Sequence, residues 1–192
     1  MIKLIAALGN PGNEYQYSRH NIAWRLVEFF SFYTELRWQN KFNGSISEFK
    51  SNDEKIHIIL PYTYMNRSGY CVTTASKFFK IKPDQILIIH DELELDFGKV
   101  SFKFGGGLGG HNGLRSISES LGTKNFNRFR IGISRPEHND ITSYVLGRFN
   151  NNEDKELPFI LSESALLLES NLENDFSELE KKFRKIKIAE NQ

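Results

Sequence analysis

The sequence of 192 residues has one cysteine, five prolines and no apolar run near the ~20 residues that a membrane span requires. The lone cysteine, Cys71, excludes an internal disulfide and offers no cysteine cluster for a metal. Only Lys3 precedes a short strand-like run at the N-terminus, so no signal peptide is predicted. These absences lead us to expect a cytoplasmic protein without a membrane segment.

The chain also has almost no excess of positive over negative charge, because the formal net charge is +1. The balance hides an asymmetry, since residues 1–150 hold 19 Lys and Arg against 14 Asp and Glu, whereas residues 151–192 hold 6 against 10. Seven basic residues but only one acidic residue, Glu119, lie in residues 99–135. This local excess predicts a polyanionic partner, and a solvated charged face is the simpler alternative.

Short apolar runs alternate with helical patterns along the chain. The predicted strands are "IKLIAAL", "GSISEF", "KIHIIL", "QILIIH", "KVSFKF" and "RFRIGI". Helical spacing recurs at residues 21–36, at residues 71–79 and beyond residue 150, where Pro158 is expected to start or kink a helix. We therefore predict an α/β fold in which residues 1–192 form a single domain, with a twisted mixed β-sheet flanked by helices on both faces. Residues 151–192 are its C-terminal helical tail.

A glycine-rich segment, "FKFGGGLGGHNGLRSI", begins at residue 102. Gly105, Gly107 and Gly110 satisfy the G-x-G-x-x-G pattern of dinucleotide sites, between a strand-like and a helix-like segment. The acidic residue expected about 20 positions later is missing, because that region reads "FNRFRIGIS". No Gly-Lys-Ser/Thr follows, which opposes a Walker A loop. On glycine content alone, a flexible hairpin or lid is the alternative.

Five polar residues stand where ligands bind in open α/β sheets, beyond the carboxyl ends of strands. Asn10 follows the first strand, Asn66 follows "IILPYTYM" and Asp91 follows "ILIIH". Asn112 follows the glycine run, and His20 lies at the entry to the first helix. We expect these side chains to share one cleft, although each also has a structural interpretation as a turn, capping or packing residue.

The residue types in this set suit general-base hydrolysis. A helix N-terminus disfavours the protonated form of His20, which suits a base, and Asp91 can hold its tautomer. The amides of Asn10, Asn66 and Asn112 can donate to a carbonyl or to ribose hydroxyls without adding charge. Because no serine or cysteine has an elbow motif, water is the expected nucleophile and an activated ester the expected substrate.

Four sequence blocks resemble, in order and spacing, the motifs of bacterial-type peptidyl-tRNA hydrolases. They are "LGNPGNEYQYSRHNIAW", "PYTYMNRSG", "IIHDELELDFGKVSFKFGGGLGGHNGLRSI" and "FNRFRIGISRP". The resemblance covers residues 4 to about 150 and is weakest in the C-terminal tail. It implies an esterase that cleaves the bond between a peptide and the 3′ ribose of tRNA, as a monomer without metal or other cofactor.

The resemblance also implies a role for each matching residue. His20, Asp91 and Asn10 correspond to the catalytic base, its orienting carboxylate and a catalytic amide. The substrate-binding positions are Tyr15, Met65, Asn66, His111 and Asn112. Lys103 and Arg130 correspond to a basic pair that holds the tRNA 5′ phosphate, and the glycine run to a flexible wall beside the peptidyl-adenosine end.

Two positions depart from the family pattern. Leu108 stands within the glycine run where a polar residue is common, and Ser101 replaces a common second lysine, which is expected to weaken the tRNA-binding patch. Two other functions are a non-catalytic RNA-binding protein of the same fold and the nucleotide-dependent oxidoreductase that the glycine pattern suggests. The joint presence of His20, Asp91 and Asn10 favours the hydrolase.

Overall fold

The computed structural model describes residues 1–137, 140–183 and 185–188. The strands in these residues are β1 (Leu4–Ala7), β2 (Gln39–Lys41), β3 (Gly44–Ser51), β4 (Glu54–Pro61), β5 (Ile86–Glu92), β6 (Lys99–Phe104), β7 (Asn127–Gly132) and β8 (Ile186–Lys187). The helices are α1 (Ile22–Val27), α2 (Ser68–Phe78), α3 (Asn112–Leu121), α4 (Ile141–Leu146), α5 (Asn151–Glu169) and α6 (Phe176–Lys182). No helix among the described residues is long and apolar enough to cross a bilayer.

The described strands form one mixed sheet in the order β2-β3-β4-β1-β5-β7-β6-β8. The central pairs β4–β1, β1–β5 and β5–β7 are parallel, and the pairs toward both edges are antiparallel. Every residue of β1 and β5 is buried, as expected for parallel strands covered on both faces. The two strands also end at the same edge of the sheet, which brings Asn10 and Asp91 close together.

Alternate side chains of the sheet enter two apolar cores. Ile5 and Leu87 face a core closed by α1, α5 and α6, whereas Leu4 and Ile88 face one closed by α2 and α3. The predicted fold class, a mixed sheet with helices on both faces, is therefore confirmed.

The C-terminal segment belongs to this structure, because Leu157 and Leu161 of α5 are fully buried in the first core. A capping box formed by Asn150 and Glu153 sets the start of α5, and Pro158 lies inside the helix. Of the two alternatives expected for Pro158, starting a helix was therefore wrong, and kinking one stays a prediction.

The first helix is shorter than its apolar spacing predicted. α1 ends at Val27, and the chain continues through turns and a short 3₁₀ helix at Tyr33–Glu35. Phe30 is nevertheless buried, and the ring of Phe32 stacks on that of Phe49 with centroids 3.9 Å apart. Tertiary contacts thus bury Phe30, which the sequence pattern had assigned to a helix, whereas Phe29 beside it is exposed.

Gly69 gives a test of how closely α2 and α3 approach each other. A methyl group added there would lie 2.1 Å from the backbone oxygen of Ser116, which cannot move without shifting α3. Gly69→Ala should therefore lower the free energy of unfolding by ~1–3 kcal/mol, measured in urea. Gly107→Ala is the control, because the added carbon meets no atom within 4 Å. Equal unfolding midpoints for the two variants would contradict the close contact.

Candidate functional site

The site is centred on the carboxylate of Asp91, which lies near the end of β5 and is 2% exposed. Its Oδ1 accepts hydrogen bonds from His20 Nδ1 at 2.8 Å and from His111 Nε2 at 2.9 Å. His20 belongs to the 3₁₀ turn Arg19–Asn21 that leads into α1, and His111 is the N-cap of α3. One buried carboxylate thus joins a strand, a turn and a helix start.

The hydrogen-bond partners fix which nitrogen of each imidazole carries a proton. His111 Nδ1 accepts from the backbone N–H groups of Gly113 at 3.1 Å and Leu114 at 3.4 Å, so the proton of His111 is on Nε2, which faces Asp91. His20 donates to Asp91 through Nδ1, which leaves Nε2 with a lone pair in the neutral ring. Of these two histidines, only His20 can act as a base without losing an existing hydrogen bond.

The electrostatic environment of His20 differs from the one expected. Burial lowers the pKa of His20, but the charge of Asp91 and the hydrogen bond to it raise that pKa, and the net pKa lies above the ordinary value of 6.5. The expectation that a helix N-terminus disfavours protonation was wrong in its net direction, because the carboxylate at 2.8 Å is the stronger influence. Asp91 therefore increases the basicity of His20.

The neighbouring His90 is buried and stays neutral. Burial is the main reason that its pKa lies well below 6.5, and electrostatic interactions with His111 and Arg128 lower that pKa further. Its Nδ1 donates to the backbone oxygen of Asp91 at 2.7 Å, and its ring packs edge-on against His111 with centroids 5.1 Å apart. His90 thus supports the wall behind the site.

Asn10 is held by a side chain that the sequence analysis did not select. The fully buried Asn21 accepts from Asn10 N through Oδ1 and donates to Asn10 O through Nδ2, each at 2.9 Å. The Oδ1 of Asn10 in turn accepts from Met65 N at 2.8 Å. Because that oxygen is already bonded, the Nδ2 group is the remaining donor that Asn10 can offer to a ligand.

These residues line a cavity with a volume of about 290 Å³. The predicted site residues that line it are Asn10, His20, Met65, Asn66, Asp91, His111 and Asn112, together with Gly109 and Gly110 of the glycine run. Tyr15 does not line it; its backbone instead closes turns with Gly12 and Ser18. Asn66 is exposed, and α2 has no side-chain cap, so the capping interpretation of Asn66 was wrong.

One wall of the cavity is formed by residues that were not predicted from the sequence. Ile141, Val145 and Leu146 of α4 line the cavity, and so does Tyr64 before α2. The signal available for α4 was Asp140, whose side chain accepts from Ser143 N at 3.0 Å and caps the helix. Asp140 therefore indicated the start of α4, but the sequence pattern did not show that this helix lies beside the cavity.

The glycine run is held in place by Arg128, which is 1% exposed. Its guanidinium donates to the backbone oxygens of Gly107, at 2.9 Å, and Gly105. Leu108 packs against the second core, which gives a structural reason for an apolar residue at that position. The dinucleotide interpretation also lacks its βαβ context, because β6, which precedes the run, is antiparallel to β7.

The basic residues around the run are largely neutralised by acids from outside it. Lys99 pairs with Asp96, Lys103 with Glu180, Arg130 with Glu92 and Arg135 with Glu94. Arg128 is buried on carbonyl oxygens and unavailable to a partner. The local count of seven cations against one acid thus overstated the free charge, because Asp96 lies just outside the counted range and folding adds Glu92, Glu94 and Glu180.

The predicted phosphate-binding residues lie on neighbouring strands. Lys103 of β6 and Arg130 of β7 are on the same polar face, since Ser101 pairs with Arg130 and Lys103 with Arg128 across the two strands. Ser101 Oγ accepts from Arg130 Nε at 2.8 Å. The serine that departs from the family pattern therefore orients one member of the basic pair.

His20, Asp91 and His111 are the group among the described residues whose donor atoms lie close enough to bind one metal ion. Their protonation opposes that use, because His111 Nε2 carries a hydrogen while Nδ1 accepts from the start of α3. A cation would have to displace a proton and a helix cap together. The donor set fits a hydrogen-bonded relay better than a metal centre.

The fold and the site together define an α/β protein with a buried histidine–carboxylate pair in a cleft, the arrangement of a general-base hydrolase. A family model described as peptidyl-tRNA hydrolase matches residues 4–191, beyond the motif blocks that end near residue 150. The chain belongs to the peptidyl-tRNA hydrolase family.

Individual relatives agree with this assignment. A peptidyl-tRNA hydrolase of Listeria welshimeri is 38% identical over 95% of this chain and 100% of the relative. One of Treponema pallidum is 51% identical over 77% of this chain and 76% of its own. The crystal structure of peptidyl-tRNA hydrolase from Acinetobacter baumannii superposes with a TM-score of 0.79 at 38% identity, covering 93% of this chain and 94% of that one. The family predicted from the motifs is confirmed.

The coupling between Asp91 and His20 can be measured directly. In Asp91→Asn, burial of His20 persists while the charge that raises its pKa is lost, so the pKa should fall from above 6.5 to below it. An NMR titration measures this value, with the His20 resonance assigned by comparison with His20→Gln. An unchanged pKa in Asp91→Asn would show that the carboxylate does not control the protonation of His20.

Proposed function

We propose that this member of the family hydrolyses the ester bond between a peptide, or an N-blocked aminoacyl group, and the 3′ ribose of tRNA. The products are a free carboxylic acid and a tRNA with its 3′ hydroxyl restored, so the reaction recycles tRNA from prematurely released peptidyl-tRNA. The observation that carries the proposal is the His20–Asp91 hydrogen bond at the base of the cavity, in a chain that belongs to this family.

His20 is the general base in this proposal. Its Nε2 removes a proton from a water molecule while the oxygen of that water attacks the ester carbonyl carbon. The resulting imidazolium donates through Nδ1 to Asp91, whose charge stabilises it. Collapse of the tetrahedral intermediate breaks the bond to the ribose oxygen, which receives the proton from His20. The base is thereby restored for the next turnover.

Amide donors position the substrate in the proposed site. The Nδ2 of Asn10 is available because its Oδ1 is held by Met65 N, and it lies in the same cavity as His20. Asn66 and Asn112 offer further amides, and Met65 gives an apolar contact. We assign Asn10 to the ester carbonyl, and the other two amides, with His111, to the peptidyl-ribose groups. Tyr15, outside the cavity lining, is assigned to a more distant part of the substrate.

The tRNA backbone is assigned to the polar face of β6 and β7. Lys103 and Arg130 project from this face beside the glycine run, and their side chains are partly exposed. Phosphate contacts by lysine and arginine fix the register of a nucleic acid without reading its sequence. We therefore assign the tRNA 5′ phosphate to these two residues. The enzyme is proposed to act as a cytoplasmic monomer without metal or other cofactor.

The first experiment is hydrolysis of N-acetylated aminoacyl-tRNA at neutral pH with a chelator present. The wild type should release the acyl group, and His20→Ala should reduce kcat by roughly 10²- to 10⁴-fold, the usual contribution of a general base. His57→Gln is the control, because His57 lies in β4 outside the cavity. Undiminished release by His20→Ala would refute the proposed base. Absence of release by the wild type, with tRNA still bound, would favour the non-catalytic RNA-binding alternative.

The phosphate assignment predicts a separation between substrates. Lys103→Ala should raise KM for full-length peptidyl-tRNA several-fold and leave KM for a short peptidyl-adenosine unchanged, because only the long substrate carries the 5′ phosphate. Lys50→Ala is the matched control, since it removes the same charge from β3, which lies near the opposite edge of the sheet from β6. Equal losses on both substrates would contradict a phosphate contact at Lys103.

A further inference from the structure

The C-terminal helix places an acidic side chain on the proposed phosphate site. α6 lies against β6, the strand next to the edge strand β8, and Phe176 packs edge-on against Phe102 with ring centroids 5.3 Å apart. From this helix, Glu180 reaches the side chain of Lys103, with Oε1 and Nζ 3.4 Å apart. The partner of Lys103 therefore comes from a segment far away in the sequence.

The Glu180 carboxylate is anchored independently of the lysine. Its second oxygen, Oε2, accepts from the backbone N–H of Phe104 at 3.0 Å, a shorter contact than the one to Lys103. The helix that carries Glu180 is fixed by the burial of Phe176 and Leu179. Glu180 can thus keep its position when Lys103 turns toward another anion.

The Glu180 carboxylate lies within a cluster of charged side chains. Lys103, Arg128 and Arg130 lie near Glu92 and Glu180, so that three cations face two carboxylates. The pKa of Arg128 is lowered to about 10, mainly by burial and then by Arg130, and the two glutamates oppose this change. The charge of Glu180 is therefore felt beyond its direct contact with Lys103.

We propose that Glu180 is an internal competitor for the RNA phosphate at Lys103 and limits how tightly the enzyme holds its substrate. A phosphate that binds Lys103 meets a fixed negative charge beside it and shares the lysine with that charge. Both side chains of the pair are about one-third exposed, at 27% and 35%, so solvent keeps the effect modest. The inference rests on the proposed role of Lys103 in tRNA binding. It adds that Glu180 lowers the affinity of this site for tRNA.

Glu180→Gln tests the inference with little structural change. The glutamine Oε1 can still accept from Phe104 N, while the negative charge is lost. KM and Kd for peptidyl-tRNA should fall roughly two- to fivefold at low salt, in keeping with a partly exposed ion pair, and the gain should shrink as salt is added. KM for the short peptidyl-adenosine, which lacks the phosphate, should not change.

Glu178→Gln is the matched control, because it removes the same charge from the same helix while Glu178 pairs with Lys181. The competition would be supported if Glu180→Gln lowers KM for peptidyl-tRNA while Glu178→Gln does not. The decrease in KM should also disappear when Lys103→Ala is added. Equal KM values for the two glutamine variants would overturn it. If Lys103→Ala alone raises KM and Glu180→Gln does nothing, only this inference fails. If Lys103→Ala has no effect, the phosphate assignment fails together with it.

Discussion

The edge of the sheet that carries the candidate site depends on the burial of one ionised carboxylate. Removing Asp91 from water costs several kcal/mol, and such a charge is tolerated only where hydrogen-bond donors replace the lost solvent. Burial raises the pKa of Asp91, but His20 and His111 lower it far more, so the group stays ionised. Because the two donors belong to the turn before α1 and to the start of α3, satisfying the charge also fixes both segments against β5.

Three histidines around this carboxylate have different properties because their partners differ. His20 has one bonded nitrogen and one nitrogen left for chemistry. His111 has both nitrogens engaged, one by Asp91 and one by the backbone of α3. His90 is kept neutral by burial. A sequence pattern shows three histidines but not this division, which depends on contacts between residues distant in the chain.

Much of the fold could be read from the sequence, because buried central strands leave continuous apolar runs such as residues 2–8 and 85–90. The cavity-lining residues could also be located, since Asn10 and Asp91 follow parallel strands that end at the same edge. Short edge strands such as β2 and β8 left no comparable signal.

The environment of a charged side chain could not be predicted where its partner is distant in the sequence. The acid that neutralises Lys103 is 77 residues away, so counting charges within residues 99–135 missed it. Arg128 alternates with apolar residues as a surface cation would, yet the carbonyl groups of the glycine run bury it. α1 ends at Val27, yet Phe30 beyond it is buried, so its burial depends on the tertiary fold of the following turns and not on a continued helix face.

The Asn21 side chain reproduces a peptide group. It offers one acceptor and one donor to the backbone of Asn10, as the peptide group of a neighbouring strand would. Aspartate has the right shape but would set an oxygen against the Asn10 carbonyl, and leucine would leave both backbone groups unpaired in a buried site. Glutamine would displace the amide by one carbon. On this backbone the identity of residue 21 is thus set by the peptide group that its side chain imitates.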